Sequence, residues 1–115
     1  MKKFALFVFN GDAMCFIHVL LNALDMHEKG QDAKIILEGA SVKLIPDLYR
    51  TGTLLNPLWN KALEAGLVAG VCYGCAGKLG TLEAAKEHGL ELLNDMSGHP
   101  AMLPFRNEGY EIITF

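Results

Sequence analysis

The chain has 115 residues, of which 51% are hydrophobic and 20% charged, and its net charge is −3. That length and apolar content suit a single domain, spanning 1–115, with a real hydrophobic core, and they exclude disorder. No basic run occurs, which excludes a nucleic-acid or anionic-membrane surface.

Met1-Lys2-Lys3 followed by apolar Phe4 to Phe9 imitates a signal peptide, but the run is short and Asn10-Gly11-Asp12 interrupts it. It reads as a central parallel strand, buried on both faces. Asn10-Gly11-Asp12 is a turn, with Asp12 as the N-cap of the next helix. Asn10 and Gly11 are also candidate ligand-binding residues, although a turn and a cap explain them without a ligand.

The first helix is expected from Ala13 to Lys29, stopped by Gly30. His18, Asn22, Asp25 and Lys29 make one narrow polar stripe. Nearly everything else is apolar, more than the third of the circumference that a surface helix needs to bury. The excess predicts a second covering surface, most simply another copy of the chain. Ala33 to Leu37 is the second strand, with Glu38 to Ser41 as its exit loop. Val42 to Tyr49 starts a helix that Pro46 keeps short or irregular. Asn56-Pro57 and Gly66 bracket the next helix as cap, first turn and stop, with Trp59 on its packed face. Leu67 to Cys72 is the third strand, and Ala76 to His88 the helix after it, ended by Gly89. Leu90 to Leu93 is a short fourth strand. Asn94 to Gly109 is a long loop, with Met102 to Phe105 as an apolar tip buried at an interface. Tyr110 to Phe115 is the last strand.

Alternating strands and helices imply an α/β domain of three layers, α/β/α, with a mostly parallel sheet. No stretch reaches transmembrane length without polar interruption. Ligands bind such sheets outside the carboxyl ends of the strands. Asn10 to Cys15, Glu38 to Ser41, Cys72 to Lys78 and Asn94 to His99 should gather there.

Cys72 and Cys75 form a C-x-x-C where a strand ends and a helix begins. Three cysteines is far below disulfide-scaffold density and fits a reducing cytoplasm, where this motif points to redox, sulfur or metal chemistry. Backbone N–H groups and a helix dipole at that point would favour a thiolate. The alternative is two small apolar residues filling a tight turn. Gly74, Gly77 and Gly80 do not make a G-x-G-x-x-G, so no dinucleotide site, and no other cofactor, is assigned. Gly74 and Gly77, with Lys78, are candidates for cradling an anion or sulfur atom; close helix-on-strand packing explains the glycines equally. His99, in Ser97-Gly98-His99-Pro100, is a candidate proton donor or anion ligand, or an ordinary loop histidine. Cys15 and His18 could join Cys72, Cys75 and His99 around a metal, but structural zinc sites show two close ligand pairs. Cys15 is therefore read as core or interface, and no metal is assigned.

In this order of segments the chain resembles the DsrE-like sulfur-relay family, which includes TusD-type sulfurtransferase subunits and YchN-like proteins. The residues that carry the likeness are Asn10-Gly11-Asp12 after a buried strand, Lys34 to Val42 with its Glu38-Gly39-Ala40-Ser41 turn, and Gly70-Val71-Cys72-Tyr73-Gly74-Cys75-Ala76-Gly77-Lys78-Leu79-Gly80. The resemblance implies a five-stranded, mainly parallel sheet, assembly into trimers or hexamers, and other sulfur-carrier proteins as partners. It implies a cytoplasmic persulfide carrier, similar to a sulfurtransferase, in which Cys72 matches the sulfur-accepting position and Cys75 the second cysteine. A small-ligand or metal-binding module, and an adaptor subunit with no catalytic role, are the alternatives.

Overall fold

The computed structural model describes residues 1–115. Strands β1 (Lys3–Val8), β2 (Asp32–Leu37), β3 (Val68–Cys72), β4 (Leu92–Leu93) and β5 (Glu111–Thr114) form one all-parallel sheet in the order β4-β3-β2-β1-β5. The helices are α1 (Ala13–Glu28), α2 (Ile45–Leu48), α3 (Asn56–Glu64), α4 (Tyr73–Leu79), α5 (Leu82–Glu87) and α6 (Leu103–Asn107), with a 3-10 segment at Gly39–Leu44. This is the α/β fold that the alternation of elements predicts.

The strand order explains where the helices lie. β1 to β4 are laid side by side in one direction, and right-handed crossovers then place every connection on the same face. Accordingly, Phe16, Val19 and Leu20 of α1, Trp59 of α3, Ala76 of α4 and Ala85 of α5 share one core with Leu6, Val8, Ile35, Leu37 and Val71. The last connection reverses direction, carrying β5 to the far side of β1. Its helix α6 therefore lies on the other face, where Phe105 and Tyr110 pack with Ala5, Phe7 and Ile36. Successive residues of β1 point to opposite cores, which is why its sequence is a continuous apolar run. Each large side chain buried this way contributes about 1.5–3 kcal/mol.

Several local expectations hold. Asp12 caps α1, its Oδ1 accepting from the backbone N–H of Met14 at 2.7 Å. The Val42–Tyr49 stretch is irregular, part 3-10 and part a single α-turn. Trp59 is fully buried, in contact with the Phe16 and Tyr49 rings.

Others are corrected. The helix expected from Ala76 to His88 is two helices, α4 and α5, broken at Gly80. Gly80 has a φ of 84°, a left-handed conformation that ends a helix and that glycine adopts without strain. Helix α4 begins three residues early because the Cys72 side chain supplies its cap. Asn56 is the first residue of α3 rather than its cap, and Thr53 Oγ1 accepts its N–H at 3.2 Å. The Asn94–Gly109 segment contains α6, started by Pro104 in its first turn. Within the single chain Met102 and Leu103 are exposed, Leu103 by 67%, which leaves them free for the interface expected of them. Of the two places expected for Cys15, core or interface, the core is overturned, because it lies on the solvent side of the first turn of α1. That helix also leaves Met14 64% and Leu21 47% exposed.

Candidate functional site

Strand β3 ends at Cys72, whose sulfur accepts the backbone N–H of Cys75 at 3.3 Å. The thiol thus does at the start of α4 what a serine or aspartate does at an ordinary N-cap. One helical turn carries Cys75 back over Cys72. The Cys75 sulfur in turn accepts the Gly39 backbone N–H at 3.3 Å, from the segment that follows β2. Ser41 fixes that segment: its hydroxyl is buried, donates to the Val8 carbonyl at 2.7 Å and accepts the Glu38 N–H at 3.1 Å.

The third member arrives from the loop after β4. Met96 and His99 exchange both backbone hydrogen bonds, at 2.8 and 3.0 Å, around Ser97 and Gly98 with φ of 51° and 91°. Two successive positive φ values mark a two-residue primed turn. The turn is docked on α4, where the Gly74 N–H donates to the Gly98 carbonyl at 2.7 Å. A Cβ on Gly74 would lie 2.9 Å from that same carbonyl oxygen. Gly74 is therefore the residue that lets the turn approach, and the reason is packing. With the turn seated, His99 Nδ1 is 3.0 Å from the Cys72 sulfur and 3.7 Å from the Cys75 sulfur. The three ligating atoms lie within 4.8 Å of one another.

Cys72 has 0% exposure, while Cys75 and His99 are half-buried. Burial pushes the Cys72 thiol up to about 11. The Cys75 thiol and the Glu38 carboxyl add to the rise, and the Cys75 N–H opposes it. The helix N-terminus therefore does not make Cys72 a ready thiolate, contrary to the sequence expectation: desolvation outweighs one N–H bond. The thiol is positioned to donate to His99 Nδ1 or to the Gly98 carbonyl, 3.5 Å away. Glu38 is half-buried at the same edge. Burial raises its carboxyl above the usual range, and the charge of His99 pulls it part of the way back.

The other candidates lie apart from this cluster. Asn10 Oδ1 accepts the Asp12 N–H at 2.8 Å, an Asx turn. A Cβ on Gly11 would lie 2.8 Å from the Ala40 carbonyl oxygen, so this glycine serves the packing of two loops. Gly77 and Lys78 are on the exposed side of α4, and Lys78 forms no ion pair. Cys15 and His18 are exposed on α1, outside the cluster. Glu38 and the Gly39 N–H are site groups that the sequence placed at this edge, within Glu38 to Ser41, without assigning them a role. Their position just past β2, the neighbour of β3, brings them against the cysteines.

No helix is long and apolar enough to cross a membrane. An uncharacterized protein of Archaeoglobus fulgidus is 40% identical over 55 residues, covering 48% of this chain and 88% of the relative. An uncharacterized protein of Methanocaldococcus jannaschii is 35% identical over 97 residues, covering 84% of this chain and 77% of the relative. No family model matches the chain, and no solved structure does.

Proposed function

This chain belongs to the family of the Archaeoglobus fulgidus and Methanocaldococcus jannaschii proteins, and we propose that it is a cysteine-based sulfur carrier of the DsrE-like kind. The observation that supports this reading is the convergence of Cys72, Cys75 and His99 Nδ1 at the carboxyl edge of the sheet. Two thiols and an imidazole are the groups that sulfane-sulfur exchange needs: a nucleophile, a second thiol and a proton relay.

The resemblance puts Cys72 at the sulfur-accepting position, but Cys72 has no exposure, and we assign the first attack instead to Cys75, the half-buried sulfur. As thiolate it attacks the outer sulfur of a persulfide donor. The sulfur–sulfur bond of the donor breaks, the donor leaves as a thiolate, and Cys75 becomes the persulfide. His99 holds the proton that Cys75 gives up and returns it to the departing thiolate. Attack by Cys72 on the inner sulfur then forms the Cys72–Cys75 disulfide and expels hydrosulfide. We place the carrier in the cytoplasm as a homo-oligomer, trimer or hexamer, with other sulfur carriers as partners. No resident cofactor takes part.

Incubating the reduced chain with inorganic polysulfide and reading the intact mass tests this. The expected adduct is one sulfur, about 32 Da, which accumulates in Cys72→Ser and is lost in Cys75→Ser, while the wild type goes on to the disulfide, about 2 Da below the reduced chain. Loss in Cys72→Ser alone reverses the order of the cysteines. A wild-type chain that gains neither sulfur nor the disulfide, with Cys72→Ser also unmodified, under conditions that load a known persulfide carrier, overturns the proposal.

A further inference from the structure

We propose that Cys72, Cys75 and His99 also form a zinc site with one open coordination position. The inference goes beyond the sulfur-carrier reading and stands without it. It begins from distances. Tetrahedral zinc bound by thiolates and an imidazole holds two sulfurs about 3.8 Å apart and a sulfur and a nitrogen about 3.6 Å apart. His99 Nδ1 is 3.7 Å from one sulfur and 3.0 Å from the other, and all three atoms lie within 4.8 Å. Zinc binding would open the shorter contact by about half an ångström and draw the two sulfurs, now within 4.8 Å, to about 3.8 Å, by side-chain rotation.

The three ligands come from two supports. Both cysteines belong to the β3–α4 junction, one turn apart, on backbone that also carries core residues. The histidine sits on a two-residue turn hydrogen-bonded to that same junction through Gly74 and Gly98. Thiolate and imidazole donors together select zinc over magnesium or calcium, which take oxygen ligands. The charge also suits a divalent cation: two thiolates neutralise it, and the Glu38 carboxyl lies at the same edge. Binding displaces one proton from each thiol to solvent and leaves the imidazole neutral, so the zinc complex carries no net charge. Three protein ligands leave the fourth position to water or an incoming thiol, the pattern of an open rather than a closed site. Cys15, the third cysteine, is exposed on α1 and takes no part.

The test uses the full chain, reduced and stripped of metal, titrated with cobalt(II) and then with zinc against a chromophoric chelator. One equivalent of cobalt is expected to give thiolate-to-metal charge-transfer absorption, and zinc to displace it stoichiometrically. Cys15→Ser should bind as the wild type does. His99→Ala, checked for folding by circular dichroism, should bind at least about tenfold more weakly. Absence of the charge-transfer band in the wild type overturns the site, and needs no variant to be folded. Unchanged affinity in a folded His99→Ala overturns the three-ligand assignment. The two readings fail separately: a polysulfide adduct without a cobalt band removes only the zinc site, and a cobalt band without an adduct removes only the carrier.

Discussion

His99 Nδ1 stands 3.0 Å from the sulfur of Cys72, although α4, α5 and β4 separate the two residues along the chain. The contact depends on a carbonyl. Gly98 offers its oxygen to the Gly74 N–H at 2.7 Å and to the Cys72 thiol at 3.5 Å. A β-turn and a helix start thus share one acceptor, and His99 is the residue next to it.

Gly74→Ala tests that arrangement. The added methyl meets the Gly98 carbonyl at 2.9 Å, and the obstacle is backbone. Alanine gains about 1 kcal/mol of helix propensity, while overpacking costs about 1–3 kcal/mol. The net loss of stability should be about 1 kcal/mol by urea denaturation, smaller than the effect on the site. With the turn pushed away from α4, cobalt affinity and polysulfide loading should both fall.

Ser41→Ala reaches the site from the other side. The buried hydroxyl loses its bond to the Val8 carbonyl, and the Glu38 N–H loses its acceptor. Leaving these groups unpaired should cost about 1–3 kcal/mol. Release of the Glu38–Gly39 segment should also remove the N–H now directed at the Cys75 sulfur, measured as a changed alkylation rate of Cys75 in a folded variant.

Alkaline pH should destabilise the fold through two groups. The Cys72 thiol is raised from 9.0 to about 11 and the Tyr110 hydroxyl from 10.0 to about 12, in both cases chiefly by burial. For Tyr110, the hydrogen bond to the Asp32 carboxylate adds to the rise. Each group stays protonated in the folded chain while its unfolded counterpart ionises. Their contributions are therefore intact below pH 9 and are lost as pH rises through about 11 for Cys72 and about 12 for Tyr110. Urea midpoints measured from pH 8 upward, with ~8 as the starting plateau, should decline over that window, and Tyr110→Phe should decline less at its upper end.

Zinc and sulfane sulfur should compete, because both claims fall on the same two sulfur atoms. One equivalent of zinc is expected to suppress polysulfide loading of the reduced chain, and a chelator to restore it. Loading that is indifferent to bound zinc would separate the two chemistries.

The homo-oligomer is tested by light scattering at micromolar concentration. The exposed Met14 and Leu21 of α1 motivate the expectation of a trimer or hexamer. A monomeric mass would mean that α1 carries its apolar surplus into solvent.

The sheet was legible because burial on both faces writes itself as unbroken apolar runs, as in Phe4 to Phe9. The Asp12 cap and the carboxyl-edge placement of Cys72 and Cys75 were legible for similarly local reasons. The break between α4 and α5 was not, because Lys78-Leu79-Gly80-Thr81 fits either a helix or a helix end. Thr81 settles it by tertiary means, donating its hydroxyl to the Val42 carbonyl at 3.0 Å. The state of Cys72 was also hidden: a helix start argues for a thiolate, and only its zero exposure reverses the sign. His99 could be placed at the correct edge, but not against sulfur. Ser97-Gly98 carries the turn signal, while the docking depends on Gly74, 24 residues away by number.

Strand β4, at the edge of the sheet, pairs through only two residues. The cysteines hang from the interior of the fold, whereas the turn that covers Cys72 hangs from this brief pairing, one backbone bond to Gly74 and its contacts with the Cys72 sulfur. Such a segment belongs to the low-stability end of a protein, where local opening precedes global unfolding. The zero exposure of Cys72 is then a time average. Its reactivity follows the frequency with which residues 94–99 lift, and amide exchange at Met96, His99 and Gly74 should keep pace with alkylation of Cys72.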